Sequence, residues 1–208
     1  MNYIFQQSEV IFINKPATIT NEQADIIYHR LPKQDKLLFA LMRETGLRIS
    51  DALMLKVKDI TNPLEVFEHK TKKIRQFTLS EWLFEQLQEH AERGSPSNYA
   101  FRSPRTPRKP IHRSTYHRRL QRAIKGLKIA CSAHSKRKLY ARNIFDETKD
   151  IFAVQKALDH KYITTTTAYL DLDLVKVIAD AASPPAPPPP PPTLWQKLKI
   201  LIKKFFRR

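Results

Sequence analysis

Four short stretches carry side chains whose types and order suit one kind of chemistry. Thr45-Gly-Leu-Arg-Ile-Ser-Asp-Ala-Leu53 holds Arg48 where a helix starts, and a basic turn from Lys70 to Lys73 follows it. His134-Ser-Lys-Arg137 sets a histidine three residues before an arginine, and Leu158-Asp-His160 leads into Thr164-Thr-Thr-Thr-Ala-Tyr169. Guanidinium groups stay protonated and present planar, paired donors, so Arg48 and Arg137 suit the non-bridging oxygens of a phosphodiester as charge builds on them. A tyrosine phenol can attack phosphorus and also leave it, which makes the covalent bond reversible. The phenol of Tyr169 must lose a proton from a reference pKa near about 10, and His134 is the acceptor at hand. The departing 5′ oxygen needs a proton, which a lysine on a mobile hairpin can supply. His160 completes such a phosphate pocket as a donor. Covalent cleavage of a phosphodiester is the chemistry this set allows. It calls for no metal and no cofactor, because the bond energy stays in the phosphotyrosine link.

Taken singly, each residue has an ordinary reading. Arg48 is a surface arginine at a helix start, Lys70 belongs to a solvated cluster with Lys72, Lys73 and Arg75, and Tyr169 is a packed tyrosine near Tyr162. Lone histidines are more often structural. The joint order and spacing single out His134 and His160, whereas His29, His69, His90, His112 and His117 lack that support and are read as structural or phosphate-contacting.

In the order arginine, hairpin lysine, His-x-x-Arg, histidine, tyrosine, the chain resembles the tyrosine recombinases, the phage-integrase family. The 23 residues from Arg137 to His160 and the nine from His160 to Tyr169 fit that family's usual arrangement. The resemblance covers about residues 20 to 182. It implies an active site of Arg48, Lys70, His134, Arg137, His160 and Tyr169. Aligning Lys70-Thr-Lys-Lys-Ile-Arg75 with the family's turn favours Lys70 as the general acid, with Lys73 next. Two departures stand out: Asp159 precedes His160 where the family usually has glycine, and Lys138 follows Arg137 where histidine is common. Residues 1 to 19 leave little room for the helical DNA-clamping domain that precedes the catalytic domain in most relatives. That layout looks like the short fimbrial-switch inversion recombinases, and a half-clamp is expected to hold DNA less tightly unless self-assembly or an accessory DNA-bending protein compensates.

Elements of a mainly helical domain with a small antiparallel sheet are expected to position these residues. Helices are predicted at about 21–30, with Thr20 as N-cap, and at 34–44, with Leu37, Leu38 and Leu41 on one stripe. A third starts near Ile49 and carries Leu53 and Val57 inward. The period then changes, and 64–69 and 74–79 read as strands around the basic turn. Helix returns after Ser80 with Trp82, Leu83, Phe84 and Leu87 inside. Prolines 96, 104, 107 and 110 keep 95–110 a loop. Further helices are expected at 114–125, 137–148, 151–158 and 171–181. Gly46, Gly94 and Gly126, the only glycines, each follow an amphipathic stretch, where a helix end favours a left-handed residue.

Composition agrees with an anionic partner. The 208 residues hold 37 Lys and Arg against 20 Asp and Glu, a net charge of +17. Such an excess points first to nucleic acid and second to an anionic membrane surface. Apolar residues make up 41% of the chain, enough for a sizeable core. A single cysteine, Cys131, excludes an internal disulfide and favours a reducing compartment. No apolar run approaches the roughly 18 residues of a membrane span, and no signal pattern is read at the start. A soluble, cytoplasmic, nucleoid-associated protein is expected.

Three parts follow: a catalytic domain over 1–182, a linker over 183–192 and a tail over 193–208. Residues 184–192, Pro-Pro-Ala and six prolines, are read as polyproline II, a spacer of roughly 28 Å at about 3.1 Å per residue. Beyond it, Leu194, Leu198, Leu201, Ile202 and Phe205 fall at helical spacing opposite Lys197, Lys203, Lys204, Arg207 and Arg208. This basic amphipathic helix suits an anionic membrane, a partner groove or DNA phosphates. Its six positive charges aside, residues 1–192 keep a net charge of +11.

The expected function is site-specific strand exchange on double-stranded DNA by a homo-tetramer, through a 3′-phosphotyrosine intermediate. The alternatives are a topoisomerase-like nicking and rejoining enzyme, a catalytically decayed DNA-binding regulator, and a membrane-tethered factor working through the tail.

Overall fold

The computed structural model describes residues 18–93 and 98–170. Their elements run α1 (Asn21–Arg30), α2 (Lys33–Thr45), α3 (Ile49–Leu53), β1 (Leu64–Glu68), β2 (Lys73–Phe77), α4 (Glu81–Glu92), α5 (Arg113–Ile124), α6 (Ala133–Thr148), α7 (Ile151–Leu158) and α8 (Ile163–Leu170). The chain divides into two units, 1–171 and 172–208. The second lies outside the described residues, and so do the expected helix at 171–181, the polyproline stretch, the amphipathic tail and Gly94.

Helix α2 is the central element, packed against α1, α3, α4 and α6, with Leu37, Leu38, Phe39, Leu41 and Met42 all buried. Thr20 starts α1 as expected, in a capping box with Gln23. Gly46 ends α2 at φ 65, and a Cβ there would lie 2.3 Å from the Tyr140 ring, so both the turn and the close approach require glycine. The two strands pair antiparallel, Leu64 opposite Phe77 and Glu68 opposite Lys73, with Leu64, Val66 and Glu68 facing inward. Lys73 therefore belongs to β2, and the turn spans 69–72, with Lys72 at φ 57.

Several expectations are corrected. Trp82 is 49% exposed, because three consecutive helical residues cannot share one face; the buried stripe of α4 is Leu83, Leu87 and Ala91. Trp82 instead meets Tyr28 edge-on. Helix α3 stops at Leu53, and Val57 begins a separate 3₁₀ turn, partly buried against the core. Helix α6 starts four residues earlier than expected, because Ser132 and Ser135 form a capping box. Helix α8 was not read from its four threonines, whose branched side chains lower helix propensity. Burial of Thr166, Thr167 and Leu170 against the rest of the unit offsets that.

One of the three buried cations on α6 lies wholly within the core. Lys136 is fully buried, donates to the Ser132 carbonyl at 3.0 Å and lies over the rings of Phe39 and Tyr116. Burial pushes its pKa down from 10.5 to about 8. Between those values the unfolded chain binds a proton that the folded chain does not, so this residue's penalty is full below about pH 8 and fades as pH rises towards 10.5. Lys136→Met is expected to stabilise the protein by about 1–3 kcal/mol at pH 7, with the advantage shrinking by pH 10. Paired urea titrations of both proteins across that range check it; a destabilised variant, or an advantage flat with pH, contradicts it.

Candidate active site

The end of α2 and the start of α3 set the first arginine. Arg48 is the N-cap residue of α3, and its Nη1 donates to Glu68 Oε2 at 3.1 Å. Glu68, the last residue of β1, is fully buried and also accepts from Arg75 Nη1 at 3.0 Å and from the Thr71 hydroxyl at 3.1 Å. Burial opposes its ionisation, but Arg75 and Arg48, with the Thr71 hydroxyl, outweigh it and hold the carboxyl below its ordinary range. One carboxylate thus joins Arg48 to the hairpin that carries Lys70. Asp51, also buried, makes a second tie: its Oδ1 accepts the His69 N–H at 3.2 Å. Lys70 is exposed at the tip between these anchors.

Helix α6 supplies His134 and Arg137 one turn apart. Arg137 is buried and donates to the Gly46 carbonyl and, at 2.7 Å, to the Leu158 carbonyl. It thereby fixes the ends of α2 and α7 around itself. A guanidinium has five N–H donors, so two fixed on carbonyls leave others for an anion. Burial and then the Arg48 charge push its pKa down, while Tyr169 and Glu68 oppose them.

Helix α7 ends at Asp159, whose φ of 51 is the left-handed conformation that favours glycine, and this explains the family's usual residue there. Asp159 Oδ1 accepts from Lys73 Nζ at 2.7 Å. His160 follows, with Nδ1 3.1 Å from the Thr166 hydroxyl, which leaves Nε2 for the pocket. Its ring meets that of Tyr169 edge-on, with centroids 5.5 Å apart. The Tyr169 hydroxyl donates to the His134 carbonyl at 3.4 Å, and Lys138 Nζ lies 5.9 Å from the centre of its ring.

The groups feel one another's charge. Burial, then Arg137, Arg48 and Lys70, push His160 down to about 4 and shift His134 the same way, so both are neutral near pH 7. A neutral His134 can accept a proton. Burial pushes the Tyr169 phenol up to about 12 against the pull of Arg137 and Arg48, so it needs that acceptor. Two guanidiniums and an ammonium act on the same pair of histidines, and their mutual repulsion favours an anion here. Arg48, Lys70, His134, Arg137, His160 and Tyr169 are thus brought to one place.

Sequence reasoning missed the residues that hold this set: Glu68, Arg75, Asp51 and Thr166. Glu68 had a signal, since strand alternation puts it on the same face as Leu64 and Val66, and a carboxylate on an inward face needs cationic partners. Arg75 was visible only as part of the basic cluster; its second contact, to the Ala157 carbonyl at 2.6 Å, is 82 residues away. Among the described residues, no three His, Cys, Asp or Glu side chains are grouped to hold a metal ion, and no helix is long and apolar enough to cross a membrane.

Comparison with known proteins gives the family. The family model described as "Phage integrase family" matches residues 17–174. A probable integrase/recombinase of Bacillus subtilis (strain 168), YoeC, is 35% identical over 144 residues, 68% of this chain and 79% of that protein. The crystal structure of XerA recombinase matches with a TM-score of 0.66 at 20% identity, over 82% of this chain and 66% of that one. The lambda integrase catalytic core matches with a TM-score of 0.57 at 27% identity, over 69% of this chain and 91% of that one. The chain spans about half the length of the other curated recombinases it matches, from 46% to 57%. The chain belongs to the phage integrase family, the tyrosine recombinases.

Proposed function

We propose that the protein is a site-specific DNA recombinase that breaks and rejoins strands through a 3′-phosphotyrosine on Tyr169. The observation that carries this reading is the convergence of the Arg48 and Arg137 guanidiniums with His160 and the Tyr169 phenol. The scissile phosphate binds between Arg48 and Arg137, with His160 as a further donor. His134 takes the phenol proton as Tyr169 attacks phosphorus. Lys70 gives a proton to the departing 5′ oxygen, and the 5′ hydroxyl of another duplex later displaces Tyr169. Each step breaks one phosphoester bond as it forms another, so the bond energy is kept in the phosphotyrosine link and no nucleotide is called for.

Four copies act together on two duplexes in this reading, which is supported by the likeness to a lambda integrase tetramer bound to a Holliday junction. The reading extends to a comparison with the fimbrial-switch inversion recombinases, with an accessory DNA-bending protein assisting assembly. The protein works in the cytoplasm, on the nucleoid, and its tail adds a contact to DNA or to an anionic surface. The catalytic domain is taken as 1–182, followed by the linker and tail.

Denaturing cells rapidly in SDS, purifying the protein and sequencing the attached DNA tests the reading. DNA joined through its 3′ phosphate, clustered at few sites and released by protease, is expected. DNA recovered only under native conditions would favour the decayed regulator, and covalent DNA without preferred sites the topoisomerase-like enzyme.

A further inference from the structure

Asp159 is one of the two residues at which the chain departs from the family beside its active site, and it is not idle. Its left-handed cap conformation is one that glycine adopts more readily, yet the side chain reaches Lys73 at 2.7 Å, across 86 residues of sequence. Lys73 is the first residue of β2, three positions beyond Lys70 and pairing with Glu68 across the hairpin. A second tie joins the same strand to the same helix end, from Arg75 to the Ala157 carbonyl at 2.6 Å. On the β1 side the turn is held by the His69 N–H on Asp51 and the Thr71 hydroxyl on Glu68, while the Lys70 and Lys72 side chains are exposed and the Lys72 amide donates to the Glu68 carbonyl at 2.8 Å.

Lys70 itself has an exposed side chain, and a proton donor is useful only within hydrogen-bond reach of the leaving oxygen, so both strands that carry the turn must be held. Arg75 fixes the strand at its middle, and the Asp159–Lys73 pair fixes it at its turn end. We propose that Asp159 is a positioning residue: through Lys73 it holds the hairpin so that Lys70 meets the departing 5′ oxygen. This rests on the reading of Lys70 as proton donor given above. The carboxylate acts on the strand rather than on the phosphate, which it would repel.

The test separates the hairpin from the rest of the pocket. When the bridging 5′ oxygen of the scissile phosphate is replaced by sulfur, the leaving group departs without a proton, and the donor is no longer needed. Single-turnover cleavage of nicked duplexes carrying the recombination site, with oxygen or sulfur at that position, is measured for the full-length protein. Asp159→Asn and Asp159→Gly should cleave the oxygen substrate about two- to fivefold more slowly, the range for a partly exposed ion pair. Both should cleave the sulfur substrate at the wild-type rate. The exchanged pair Asp159→Lys with Lys73→Asp should recover most of the loss seen in either single reversal. The backbone tolerates lysine there, since Lys72 and Lys149 already adopt φ values of 57 and 54.

Equal losses on both substrates would overturn the proposal, because they would mean that Asp159 supports His160, Arg137 or the fold. Unchanged rates on both would overturn it too. Lys70→Ala is run alongside: if sulfur fails to rescue that variant, the reading of Lys70 is itself wrong, and that failure is distinct from a failure at Asp159.

Discussion

Tyr169→Phe is expected to abolish the covalent protein–DNA adduct while leaving the protein folded and bound to DNA. On a nicked substrate the short cleaved fragment diffuses away and rejoining cannot compete, so the wild type should accumulate an adduct that survives SDS and disappears with protease. Loss of the nucleophile oxygen is expected to lower the cleavage rate by roughly 10⁴–10⁶-fold. The fold loses little, since that oxygen makes one long hydrogen bond, 3.4 Å to the His134 carbonyl, worth about 1 kcal/mol or less. The ring keeps its edge-on contact with His160. Tyr162→Phe is the control, because Tyr162 is 59% exposed and precedes α8, so its adduct should form at the wild-type rate. Arg137→Ala should lose the adduct as well, but with a lower thermal midpoint, because Arg137 also ties Gly46 and Leu158 together. An adduct that persists in Tyr169→Phe and vanishes in Tyr162→Phe would reassign the nucleophile.

The contrast between Tyr169 and Glu68 shows what the sequence exposes. Tyr169 was legible because its distance from His160 is local: α7 ends, Asp159 and His160 turn the chain, and α8 brings the phenol back within a few ångströms. The helices and the hairpin were legible for the same reason, since caps and periodicity act over a few residues. Glu68 holds Arg48 from 20 residues away, and Arg137 reaches Gly46 across 91. Contacts of that kind depend on how elements pack, which no local pattern encodes. Where local signals conflicted with packing, packing prevailed: the threonine-rich α8 is helical, and apolar Trp82 stays outside. The left-handed backbone at Asp159 belongs to the same class. Sequence marked the residue as a departure, but only the structure explains why glycine is usual there and what the carboxylate does instead.

Lys70→Ala should slow cleavage of ordinary DNA by about 10²–10⁴-fold, the range for removal of a general acid. Two lysines compete for that role by sequence, and their surroundings separate them. Lys73 is held by Asp159 at 2.7 Å, so its ammonium donates to a carboxylate instead of waiting for a leaving group. Lys70 stands exposed two residues beyond Glu68, and its charge reaches both His134 and His160. An ammonium so placed can meet a phosphate bound at Arg48 and Arg137 and give up its proton as the phosphorus–oxygen bond breaks. Replacing the 5′ oxygen by sulfur makes the proton unnecessary, so Lys70→Ala should regain nearly the wild-type rate on that substrate. Arg48→Ala should not, because sulfur does nothing for charge on the non-bridging oxygens. Lys73→Ala should lose only a few-fold, in keeping with one partly exposed ion pair. A loss of 10²–10⁴-fold in Lys73→Ala that sulfur rescues, with no rescue of Lys70→Ala, would transfer the role of proton donor to Lys73.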